Sequence, residues 1–78
     1  MTLVTQAEAV FVSTLQPSDH PGVNEVVTAI RRSLRIHGGV SGCVAAFATE
    51  YGEHPEVSAN RMHWALSLVA GIATSAAA

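Results

Sequence analysis

The stretch EYGEHPEVSANRMHW, residues 50–64, holds two of the four histidines, the only Trp and one of the four arginines, set around a Gly and a Pro. Read as chemistry, it would be a metal or catalytic site. Read as backbone, it is a corner between two helices. Gly52 lets a chain leave a helix sharply, and Pro55 suits the first turn of the next one. Pro disfavours helical geometry in the residue before it, so His54 falls at an N-cap position, and the Glu53 carboxylate, like that of Asp19 before Pro21, stands where a helix dipole favours negative charge. The corner is the better reading, and it sets the fold.

Working outward, four helical stretches emerge, separated by short Gly/Pro punctuation, and no segment alternates with period two. The first spans about residues 6–16: Thr5 and Glu8 form a capping box, and Ala7, Val10, Phe11 and Leu15 share a face. PSDHPG ends it. The second spans about 21–37, opens on Pro21, and carries Val23, Val26, Val27, Ile30 and Leu34 as a core stripe. Gly38 and Gly39 stop it. The third, about 40–51, is expected to bury Val44, Phe47, Ala48 and Tyr51, with Cys43 at the edge and Gly52 as its C-cap. The fourth runs from Pro55 to about residue 73, ahead of a frayed Ala-rich C-terminus. The expectation is an all-α fold: one domain over residues 1–78, a small bundle of four helices containing a trihelical helix-turn-helix-like unit.

SDHPGV and GEHPEV lie 34 residues apart and share acid-His-Pro-x-Val. This is a repeated way of starting a helix, placing His20 and His54 at N-caps. The tetratricopeptide period is the same length, but that motif's landmarks are missing and there are too few units.

Read together, the third and fourth helices give AAFATEYGEHPEVSANRMHWAL. Ala48, then Gly52 four residues on, a turn with Pro55, and a helix carrying Arg61, Met62 and Ala65 resembles the helix-turn-helix of sigma-factor promoter-recognition domains and related regulators. The resemblance covers about 22 residues. It implies that Ala48 is buried at a close helix crossing, that the helix beginning at Pro21 supports the unit, and that the fourth helix enters a major groove. Glu56, Asn60, His63 and Ser67 would then face bases, with Asn60 suited to an adenine edge and Glu56 to cytosine. Arg31, Arg32 and Arg35, near the end of the second helix, would touch phosphates. They are also where cations suit the helix dipole.

The fourth helix is apolar around most of its circumference. Ser58, Met62, Ala65, Leu66 and Val69 make one stripe; Val57, Trp64, Leu68 and Ile72 make a second. One core does not easily cover both, so the second stripe is expected to be a protein interface, closed by a partner subunit or else by the first helix. A homodimer or another protein partner is the expected association.

Composition narrows the function classes. Seventy-eight residues form one domain near the lower limit for a self-supporting core. Four Arg and no Lys against six acidic residues give a net charge of −2, which weakens the electrostatic case for nucleic acid. One Cys allows no internal disulfide and fits a reducing interior. The N-terminal segment lacks a basic signal region, and the span from Trp64 to Ala78 is too short and too rich in Ala, Ser and Thr for a membrane helix. A cytoplasmic location is expected. His20, His37, His54 and His63 have no zinc spacing, HGGVSG lacks the Lys-Ser/Thr of a phosphate loop, and Cys43 reads as core packing. No catalytic residue, metal or cofactor is expected. The reading is a non-catalytic helical module acting through protein–protein interaction or self-association, with a DNA-binding helix-turn-helix regulator as the alternative.

Overall fold

Thr2, rather than Thr5, starts the first helix in this computed structural model, which describes residues 1–77. Thr2 is extended, and its hydroxyl accepts from the Thr5 amide at 3.2 Å while the Thr5 hydroxyl donates to the Thr2 carbonyl at 3.0 Å. Helix α1 is Leu3–Phe11, so it begins and ends earlier than its apolar pattern suggests. Glu8 therefore caps nothing: it stands in mid-helix and is buried. Beyond Phe11 the chain turns away, the Ser13 hydroxyl donating to the Val10 carbonyl and accepting from the Leu15 amide. Leu15 still reaches the core, from irregular backbone.

A single 3-10 turn, Pro17–Asp19, follows, closed by the Asp19 carboxylate accepting from the Gln16 amide at 2.8 Å. His20 then adopts a left-handed conformation at φ 45°. Helix α2 is Val23–His37, and its N-cap is Gly22, whose amide donates to Glu25 Oε1 at 3.2 Å. His20 and Pro21 thus precede the cap instead of forming it. Gly38 and Gly39, at φ 81° and 96°, make the reversal into helix α3, Val40–Glu53. Gly42 serves a different purpose, close approach. A Cβ there would lie 1.6 Å from the His37 carbonyl oxygen, so only Gly fits.

Helix α3 runs through Gly52, which caps nothing. The break falls at His54 alone (φ −137°, ψ 70°), and helix α4 follows as Pro55–Ala77. The His54 carbonyl accepts from the Ser58 amide at 3.0 Å, the bond of an N-cap residue. The Ser58 hydroxyl reaches back to the Glu50 carbonyl at 3.2 Å and ties the two helices across the break. The break between the two helices is therefore one residue wide. At about 1.5 Å per residue, α4 accounts for most of the molecule's 37 Å length. Helix α4 also runs past residue 73, where the sequence predicts fraying; Ala78 lies outside the described residues.

The result is an all-α bundle of four helices in which α1 packs against each of the others, while α2 and α4 each pack on α1 and α3. Ala7, Val10, Val26, Ala65 and Val69 form the core, each buried side chain of Val size contributing roughly 1.5 to 3 kcal/mol. Several expected core residues are instead exposed: Val23, Val27, Val44, Ala48 and Tyr51. The cause is geometric. Helix α1 meets α2 through Val26, which packs with Ala7 and Val10, and Cys43 of α3, near Glu8 of α1, is 1% exposed. Nine residues of α1 cannot cover the wider stripes on both partners. Ala48 consequently stands in solvent, away from any helix crossing.

Candidate functional site

Arg61 organises the surface of α4. Its Nε donates to the Phe11 carbonyl at 2.9 Å, and Nη2 donates to the carbonyls of Leu15 at 2.8 Å, Ser13 at 3.1 Å and Val10 at 3.4 Å. These include carbonyls that the end of α1 leaves without helical partners, so one guanidinium closes a helix terminus far away in sequence. Burial lowers the Arg61 pKa from its ordinary value. The guanidinium also lies 5.6 Å from the Phe11 ring centre and 5.1 Å from that of Trp64. Phe11 meets Phe47 edge-on at 4.9 Å, and Phe47 meets Tyr51 at 5.8 Å. A row of rings and one cation thus joins α4, α1 and α3. No local pattern announces this role, because the carbonyl partners are all distant in sequence.

With Arg61 turned inward and Ser58, Ala65 and Val69 buried, the opposite face of α4 is fixed. Glu56, Asn60, His63 and Ser67 all stand in solvent, as do Arg31, Arg32 and Arg35 on α2. The two groups stand on different helices, α4 and α2, which meet in the core through Val26, Ala65 and Val69. Trp64, Leu68 and Ile72 are half-buried against the core inside the single chain, on the helix to which α1 packs, whereas Val57 is 70% exposed.

Val57 and, on α2, Ile36 at 67% are the most open apolar positions, and further open ones recur on the α2–α3 pair. On α2, Val23 and Val27 are 52% and 38% exposed; on α3, Val40, Val44 and Tyr51 are 38%, 37% and 44% exposed. Val40, Val44, Phe47 and Tyr51 recur at i, i+4, i+7 and i+11, so they share one face of α3. These two helices pack against each other, which places both open stripes on one hairpin.

Cys43 is buried and unpaired by any disulfide. Burial first, and the Glu8 charge second, push its thiol pKa up, which works against a nucleophilic thiolate. Among the described residues, no three His, Cys, Asp or Glu side chains gather as a metal site, and no helix is long and apolar enough to cross a membrane. No family model matches the chain, and neither a curated protein nor a solved structure matches it.

Proposed function

We propose that the chain is a non-catalytic helical module that works by self-association through the α2–α3 hairpin. The observation that carries this reading is the exposure of Val23, Val27, Val40, Val44 and Tyr51, all on helix-period stripes of two adjacent helices. None of these side chains is charged, so the complementary surface must itself be apolar, and a second copy supplies one. The expected interface of Val57, Trp64, Leu68 and Ile72 has less left to offer, because three of the four already pack on the core. The protected thiol of Cys43 fits a reducing compartment such as the cytoplasm.

Sedimentation velocity over a wide concentration range tests the proposal. The wild type forms a dimer as concentration rises, and the double variant Val27→Asp, Val44→Asp stays monomeric with the same helical circular dichroism. A wild type that is monomeric throughout contradicts it.

A DNA-binding role draws support from the solvent-facing Glu56, Asn60, His63 and Ser67 of α4. It is the weaker reading, because Arg61 is committed to the α1 carbonyls and the remaining arginines all lie on α2. Gel shifts across salt concentrations separate the two readings, since phosphate contacts leave a steep salt slope.

A further inference from the structure

We propose that the groove between the segment 12–15 and α2 is a binding site for a small amphipathic carboxylate, an acid head on an aliphatic chain of medium length. The groove has a volume of about 370 Å³, within the range of small-ligand sites. Its floor includes Ser33, a residue only 3% exposed whose hydroxyl makes no hydrogen bond among the described residues. The other buried hydroxyl, that of Ser58, donates to the Glu50 carbonyl. Among the described residues no fully enclosed side-chain oxygen or nitrogen lacks a partner, so what little of Ser33 is open includes its hydroxyl, at the groove. That hydroxyl is free to meet a ligand's polar head.

Two further features define the ligand's ends. Arg32 lines the groove and forms no ion pair or hydrogen bond among the described residues, whereas the acidic residue of the groove, Glu25, already accepts from the Gly22 amide. Glu25 keeps its negative charge but stands about two helical turns before Arg32, so the charge next to Ser33 in the chain is that of Arg32, and a guanidinium suits a carboxylate. One turn further along, Ile36 is 67% exposed, an aliphatic side chain held open at the groove together with Leu15 and Val12. An aliphatic tail lying there covers Ile36, while the acid head reaches Arg32 and the Ser33 hydroxyl.

This site is distinct from the self-association surface. Glu25, Arg32 and Ile36 lie on one side of α2, and Val23 and Val27 on another, by their helical spacing. Loss of one activity therefore leaves the other measurable.

An amide-resolved NMR titration of the full chain with octanoate, octylamine and acetate tests the assignment. Octanoate is expected to give saturable shifts confined to residues 12–15 and 24–37, and octylamine and acetate none. Arg32→Gln, at an exposed position that leaves the fold intact, weakens octanoate by about tenfold, the worth of one charge-assisted hydrogen bond. Ser33→Ala weakens it by a smaller factor. Octylamine binding as tightly as octanoate, an unchanged affinity in Arg32→Gln, or shifts that are absent or spread over the whole chain would each overturn the proposal.

Discussion

Helices α1 and α4 form the more closed half of the molecule, with Leu3, Val4 and Val57 its open apolar residues, and helices α2 and α3 the more open one. The first pair contributes Ala7, Glu8, Ala9, Val10, Phe11, Ser58, Ala65 and Val69 to the buried set; the second contributes Val26, Ser33 and Cys43. The closed half is fastened by Arg61, whose hydrogen bonds run from mid-α4 to the end of α1. The open half is joined by a two-glycine reversal and leaves valines in water on both helices. A small chain with one short central helix can bury only part of its apolar surface. What it closes supplies stability, and what it leaves open is available for association.

The largest expected effect comes from unfastening the closed half. Arg61→Met keeps much of the length of the side chain but removes every hydrogen bond to the α1 end, leaving carbonyls without donors. It is expected to cost about 4 kcal/mol, enough to lower the melting temperature steeply. A variant that melts with the wild type shows that Arg61 does not hold the two helices together. On the open half, Gly42→Ala forces a methyl against the His37 carbonyl. A cost of about 2 to 3 kcal/mol in urea unfolding is expected, although Ala is the better helix former. A stabilised variant contradicts the close approach of α2 and α3.

A gentler probe is the thiol where the two halves meet. The folded pKa of Cys43 lies above its unfolded value, so the stability it contributes is full below the unfolded pKa and is lost as pH rises through the folded one. Thermal melts of the wild type are expected to fall on the alkaline side, and Cys43→Ala to flatten that fall. The smallest effect belongs to Ala48→Leu. Ala48 stands in solvent, so the change is expected to move stability by less than about 0.5 kcal/mol. A loss of about 1 to 3 kcal/mol by overpacking would instead place Ala48 at a helix crossing.

Helix number and helix type are legible in the sequence, with part of the punctuation, because they rest on local chemistry; the caps expected at Thr5, His20 and Gly52 fall instead at Thr2, Gly22 and His54. Pro55 opens α4, His54 acts as its cap, Gly38 and Gly39 end α2, and the stripe of Ser58, Ala65 and Val69 faces inward. What is not legible depends on competing local caps or on distant partners. Thr5 and Glu8 have the spacing of a capping box, yet Thr2 offers an equivalent hydroxyl three residues earlier, and Glu8 is then drawn inside. Leu15 continues the apolar pattern of α1, but the helix stops at Phe11, where Arg61 receives its end. Val23 and Val27 satisfy the core spacing of α2 and remain wet because α1 approaches from the side of Val26. Gly42 looks like any glycine in a helix until the carbonyl of His37 is placed against it. The groove beside α2 is likewise invisible in the sequence, since its walls come from residues on two separate segments.

Native-state hydrogen exchange resolved by residue tests most directly the claim that stability and association are divided between the two halves. Amides of residues 7–11 and 58–69 are expected to exchange only through global unfolding, while those of 26–34 and 43–51 exchange through a smaller opening whose protection rises with protein concentration. Equal protection in both halves, with no dependence on concentration, would contradict the division.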